Sequence, residues 1–154
     1  MCQHNVIINT NVRILVRHAE TDEVIKEMRV HNLVTDSGLN KLRDMIGYPY
    51  VTCDGKTPDY MAVGTSSTAP AADQTALITE VFRTKLANRV PDTKSIAFYA
   101  YISPTEANGN TLREVGLFTE ISAGELWARA VHTAIAKTVS LSFTYEWTFT
   151  FAAA

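Results

Sequence analysis

Residues 139–151 alternate without a break. Val139, Leu141, Phe143, Tyr145, Trp147, Phe149 and Phe151 hold the odd positions, and Ser140, Ser142, Thr144, Glu146, Thr148 and Thr150 hold the even ones. Period two is the mark of a half-buried β-strand, because successive side chains leave a strand on opposite faces. The odd face is expected to close the subunit's core, and the hydroxyl-rich face to stay wet or meet a polar neighbour. At about 3.3 Å per residue the strand would span roughly 40 Å, about twice the common length. Such a strand points to a building block rather than an enzyme.

The same alternation recurs upstream. Val6, Ile8, Val12, Ile14 and Val16 predict a strand starting near residue 5, followed by a polar turn at Ala19-Glu20-Thr21-Asp22-Glu23. Val24, Lys26, Met28 and Val30 against Ile25, Glu27 and Arg29 predict a shorter, more charged return strand near a sheet edge. One helix is expected, over residues 37–46. Asp36 or Ser37 can serve as its N-cap, Leu39, Leu42, Met45 and Ile46 share a face, and Gly47 stands where a left-handed C-terminal residue belongs. Residues 48–58 read as a loop turning at Asp54-Gly55, and Tyr60-Met61-Ala62-Val63 as a short strand ending at Gly64.

Thr65-Ser66-Ser67-Thr68-Ala69-Pro70-Ala71-Ala72-Asp73 is small and hydroxyl-rich, and Pro70 excludes regular ladder bonding. It reads as an ordered surface loop, with Asp73 capping one turn through Thr75-Ala76-Leu77-Ile78 before Val81-Phe82 becomes extended. Residues 95–102 predict a strand carrying Ile96, Phe98, Ala100 and Ile102 on one face and Ala97, Tyr99 and Tyr101 on the other, so both faces call for cover. A turn follows at residues 103–110, where Asn108-Gly109 supplies positive φ cheaply. Strands at residues 111–119, 125–132 and 138–151 complete an antiparallel run. The fold class expected is mainly β: an antiparallel β-sandwich or meander with one short α-helix, one domain over residues 1–154, assembling as an oligomer.

The formal net charge is −2 and no Lys/Arg cluster is present, which argues against a nucleic-acid partner, whose phosphates bind through many cationic contacts. Cys2 and Cys53 are the only cysteines, far apart and outside any Cys-x-x-Cys. Neither a disulfide framework nor a zinc ribbon is expected, and the pair reads as reduced thiols of a cytosol-made protein. Met1-Cys2-Gln3-His4-Asn5 lacks the basic run and apolar core of a secretion signal, and no apolar run reaches about 18 residues, so no membrane partner is expected.

No set of residues spells out a reaction. His4, His18, His31 and His132 are scattered and form no His-x-x-x-His or His-Glu-x-x-His pattern, so no metal is assigned. There is no Gly-x-Ser-x-Gly elbow, and Gly64-Thr65-Ser66-Ser67 lacks the glycines and lysine of a phosphate loop, so no cofactor is assigned. Glu106, Glu114, Glu120 and Glu125 can be paired on paper as glycosidase carboxylates, a requirement many β-rich chains meet by chance. Glu114 shares a strand face with Leu112, Gly116 and Phe118, which favours a buried carboxylate paired with Arg113, Arg129 or Arg83. Tyr99, Tyr101, Trp127, Tyr145 and Trp147 are the residues available to a carbohydrate platform, but their aliphatic neighbours favour core or subunit interface.

Several phrases taken in order resemble small virion proteins of tailed bacteriophages: His31-Asn32-Leu33-Val34-Thr35-Asp36-Ser37-Gly38-Leu39-Asn40-Lys41-Leu42-Arg43-Asp44, then Tyr60-Met61-Ala62-Val63-Gly64-Thr65-Ser66 running on to Leu77, then Glu106-Ala107-Asn108-Gly109, Glu114-Val115-Gly116-Leu117-Phe118 and Leu126-Trp127-Ala128-Arg129-Ala130, and last the closing alternating strand. The chain departs from the pattern at Ser66, where a second glycine is usual, and in the loop holding Cys53. The resemblance implies a non-enzymatic virion protein, made in the host cytoplasm. It implies a homotrimer that decorates and cements the head by contact with the major capsid protein, or else a tail-fibre, tail-collar or baseplate component. A carbohydrate-binding module for host attachment is the rival of a different class, and a hydrolase built on Glu114 is a third.

Overall fold

The computed structural model describes residues 6–47 and 56–153. The expected loop turning at Asp54-Gly55, both cysteines and His4 lie outside the described residues. Nine antiparallel strands form one curled sheet. In chain order they are β1 (Val6–His18), β2 (Val24–Val34), β3 (Tyr60–Gly64), β4 (Glu80–Lys85), β5 (Asn88–Pro91), β6 (Ser95–Ile102), β7 (Thr111–Phe118), β8 (Leu126–Ala136) and β9 (Leu141–Ala153); one helix, α1 (Asp36–Gly47), follows β2. The order across the sheet is β4-β3-β7-β8-β2-β1-β9-β6-β5.

β2 is where the sheet folds over. Its first part pairs with β1 as far as His31, whereas Asn32–Val34 pair with Ala128–Ala130 of β8. Strands β1, β9, β6 and β5 lie on one side of this fold line, and β8, β7, β3 and β4 on the other. The far edges, β4 and β5, are joined by Leu86-Ala87 alone. Leu86 N–H donates to Asp59 O beside β3, and Ala87 N–H donates to Tyr99 O on β6. The chain thus crosses from one half to the other within a single peptide and closes the sandwich.

The core fills the space between the halves. Val12, Ile14 and Val16 of β1, Phe143, Tyr145, Trp147 and Phe149 of β9, and Phe98, Ala100 and Ile102 of β6 face Met61, Val63, Val115, Leu117, Ala128 and Ala130. β9 is paired along its whole length with β1 and also with β6, which makes the alternating segment the centre of its half rather than an edge. Phe143 and Trp147 are fully buried, and Thr144, Glu146, Thr148 and Thr150 are half-exposed, as the period-two pattern requires; Ser142 departs from it and is buried. Burying each large odd side chain contributes about 1.5–3 kcal/mol.

Helix α1 is capped by neither Asp36 nor Ser37. Thr35 takes that role: its Oγ1 accepts from Gly38 N–H at 3.2 Å, and its hydroxyl donates to the Leu126 carbonyl. Gly38 brings the first turn against β8, where a Cβ would collide with the Trp127 carbonyl. Leu42 and Met45 pack on the core, while Leu39 and Ile46 stay exposed, so the helix buries a narrower stripe than its sequence offers. Gly47 is the last helical residue and does not take positive φ; among the described glycines Gly109 and Gly124 do.

Four further expectations are corrected. β2 is longer than expected and is an edge only over residues 24–31, because β8 covers the rest. Val139 lies in the turn before β9 and is 67% exposed. Residues 75–78 form no helical turn; the chain turns earlier, with Gln74 N–H on Ala71 O. The second face of β6 is only partly covered: Ala97 and Tyr99 are half-buried, and Tyr101 is 45% exposed. The short strand β5 has no periodicity to reveal it and went unread.

Candidate functional site

The outer face of β3, β7 and β8 carries the one fully buried ion pair among the described residues, and the loop of residues 65–79 lies over it. Cross-strand register sets its parts. Gly64 of β3 stands opposite Glu114 of β7, and Gly116 stands opposite Arg129 of β8. Glycine is required at Gly64, where a Cβ would strike the Thr79 carbonyl and the Glu114 carboxylate; at Gly116 a Cβ would meet the methyl ends of Leu126 and Leu77, which would have to shift. The bare backbone leaves room for a carboxylate below the loop and for Leu77, which descends onto Ala62, Phe118 and Leu126.

Glu114 is completely buried and accepts five hydrogen bonds. Arg129 Nε and Nη2 donate to Oε2 at 3.0 and 2.8 Å. Ile78 N–H reaches the same oxygen at 3.1 Å, while Thr79 and Ser66 N–H reach Oε1 at 2.7 and 3.3 Å. The remaining reach of the guanidinium goes to Gln74: Arg129 Nη1 donates to Gln74 Oε1 at 3.1 Å, and that oxygen also accepts Ala71 N–H at 2.9 Å. Thr65 N–H on Thr79 O closes the base of the loop, and Asp36 N–H on Ala72 O ties its tip to the start of α1. A carboxylate stripped of water is stable only when donors replace the water, and here the loop backbone supplies three of them.

The result is a loop whose backbone is fixed and whose side chains, Gln74 and Leu77 apart, mostly face outward. Ser67, Thr68, Ala69, Ala71, Ala72, Asp73, Thr75 and Ala76 are all exposed. Such a surface presents hydroxyl and methyl groups in a set arrangement, with little backbone freedom left to lose on contact.

The other two arginines considered for Glu114 serve elsewhere or lie apart. Arg83 stacks over the Phe118 ring at 3.7 Å and binds Glu80 with the carbonyls of Glu120 and Ala123. Arg113 falls in a bulge between Leu112 and Glu114, and the same bulge turns Leu112 into the main core, away from the face of Glu114. The remaining glutamates are dispersed. Glu106 caps Ser103 N–H, Glu125 pairs with Lys41 at 3.1 Å, and Glu120 is exposed.

No known family model, curated protein or solved structure matches this chain. Its function is therefore read from its own geometry and sequence.

Among the described residues, no three His, Cys, Asp or Glu side chains are grouped to hold a metal ion. His132 is buried, and burial lowers its pKa, with Lys26 adding to the shift and a contact to Thr133 O opposing it. Of the aromatic candidates, Trp127, Tyr145 and Trp147 are core residues, while Tyr99 and Tyr101 sit on the outer face of β6. Two residues of structural weight went unsingled in the sequence, Gln74 and Lys137. Lys137 is 1% exposed and donates from Nζ to Asn108 Oδ1 at 2.9 Å, to Thr138 O at 3.1 Å and to Pro104 O at 3.4 Å. Each also has a local partner, Ala71 N–H for Gln74 and Thr138 O for Lys137, but the contacts that bury them, Arg129 for Gln74 and Asn108 and Pro104 for Lys137, lie far along the chain.

Proposed function

We propose that the chain is a non-enzymatic structural subunit of a tailed-bacteriophage virion, a homotrimeric decoration protein that cements the assembled head through contact with the major capsid protein. One observation carries this reading. Four of the sequence blocks that resemble virion proteins are far apart in the chain, yet they meet around a single loop. The block at residues 31–44 supplies Thr35 and Asp36, the block at residues 60–77 supplies the loop, and the blocks at residues 114–118 and 126–130 supply Glu114 and Arg129. Unrelated short matches would have no reason to converge on one built feature.

A fixed, exposed, small-residue loop suits attachment to a repeating protein surface. Self-association is supported by the outer face of β6, where Tyr101 is 45% exposed. A subunit bound only to the assembled shell favours that shell by mass action, and several copies bridging neighbouring capsomers multiply the effect. Electron microscopy of intact particles tests the proposal. Density for this fold on the head lattice is expected; density confined to the tail would replace it with the tail-fibre, collar or baseplate reading.

A further inference from the structure

β2 has an open backbone edge along residues 25–31, because β8 pairs only with Asn32–Val34 before the two strands part. On the facing stretch of β8, Thr133 and Ala134 are exposed. The edge is not polar throughout: Ile25 is 54% exposed, and Met28 and Val30 are only partly covered. We propose that this edge pairs antiparallel with the same edge of a second copy, across a two-fold axis at Met28, so that two half-sheets become one continuous sheet.

Symmetry and charge select that register. A two-fold axis perpendicular to a sheet keeps each face on its own side, so the axis must pass through one residue of the strand. Centred on Lys26, Glu27 or Arg29, the pairing sets a charge opposite itself, and centred on Ile25 it sets Glu27 opposite the second copy's Glu23. A centre at Val30 would call on Asn32 and Leu33, which β8 already holds. Centred on Met28, Glu27 faces the second copy's Arg29 on both sides of the axis, and the two Met28 side chains meet on the inner face.

Charged residues usually keep edge strands apart. The order Glu27-Met28-Arg29 makes the same charges attractive in this one arrangement. Arg29 stands opposite Arg13 in the β1–β2 register, and both draw on Glu27, at 3.1 and 2.9 Å, while Arg13 also reaches Glu146 at 3.4 Å; Arg29 therefore shares its carboxylate. The second copy's Glu27 sets another carboxylate beside it. This contact needs no virus particle and stands apart from the virion reading.

Native mass spectrometry and sedimentation of the purified full chain test it at micromolar concentrations. The expected species is a dimer, or a hexamer where a separate threefold contact also forms. Arg29→Glu sets a carboxylate against Glu27 of the second copy on both sides of the axis and is expected to weaken pairing about ten-fold or more. Within its subunit the substitution sets a carboxylate opposite Arg13, so the fold is retained, which circular dichroism checks. Glu27→Arg alone weakens pairing in the opposite sense. Mixing the two variants aligns unlike charges at every contact and should restore a one-to-one heterodimer. A monomeric or trimeric wild type, a dimer indifferent to Arg29→Glu, or a mixture that fails to reassociate would each overturn the proposal.

Discussion

Two long loops are organised around buried charges of opposite sign. The loop at residues 65–79 turns its N–H groups inward onto the Glu114 carboxylate. The loop at residues 103–110 instead gathers oxygens around the Lys137 ammonium, taking the Pro104 carbonyl and the Asn108 side chain, while Gly109 N–H returns to Lys137 O. The second loop needs left-handed backbone at Ala107 and Gly109, with φ of 55° and 81°, to turn its acceptors the same way. The difference lies in what balances the charge. Glu114 has Arg129 against it, both fully buried, so the site is neutral as a whole. Lys137 has neutral oxygens and only the distant influence of Glu106, and burial lowers its pKa. The anionic loop is the more strongly built, and a charged centre with a charged partner is harder to remove in part than one held by dipoles.

The largest expected effect breaks the first loop. Glu114→Gln leaves Arg129 buried without its counter-charge and should cost about 3–5 kcal/mol in chemical denaturation. Replacing both residues with apolar ones of similar size should cost less than that single change, because the orphaned charge is gone. A loss under about 1 kcal/mol for Glu114→Gln would show that the pair does not hold the loop.

Lys137→Met keeps the stem and removes the ammonium; Pro104 O keeps Asn108 Nδ2 and Thr138 O keeps Leu141 N–H, but Asn108 Oδ1 loses its donor, for an expected cost of about 1–3 kcal/mol. Hydrogen exchange sharpens the contrast: this variant should expose Gly109 N–H and leave the amides of Ser66, Ile78 and Thr79 protected. Equal damage to both loops would mean that they are one unit. Asn108→Ala, which removes one ligand of the ammonium and the Nδ2 bond to Pro104 O, should cost about 1–2 kcal/mol.

Acid provides a smaller, separable effect from neither loop. His132 has a folded pKa below the ordinary 6.5, so the unfolded chain takes up its proton first as pH falls. The stability tied to neutral His132 is present above about 6.5 and is lost as pH falls through the lowered folded value. The melting temperature should therefore drop between about pH 8 and pH 5, and His132→Phe should flatten that part of the profile. An unchanged slope in the variant would assign the acid response elsewhere.

The sequence made the strands legible and the loops much less so, for one reason. Period two in β9 and β1 is local, and burial follows from alternation alone. The burial of Glu114 was legible too, because it shares a face with Gly116 and Phe118. Its partner was not: Arg83, Arg113 and Arg129 all fit by composition, and only the β7–β8 register, which sets Gly116 opposite Arg129, decides among them. The loop at residues 65–79 resembles a linker by composition because its order comes from a carboxylate at least 35 positions away. Lys137 was invisible for the same reason, with its loop acceptors 29 and 33 positions back along the chain. Thr35 won the capping role over Asp36 and Ser37 because its hydroxyl also reaches the start of β8, a contact that no local rule contains.

Native-state hydrogen exchange at the amides of Ser66, Ile78 and Thr79 tests the central claim most directly. If the buried carboxylate fixes the exposed loop, these three should exchange as slowly as amides in the core strands, opening only when the whole domain unfolds. Exchange at the rate of an unstructured surface loop would contradict the account.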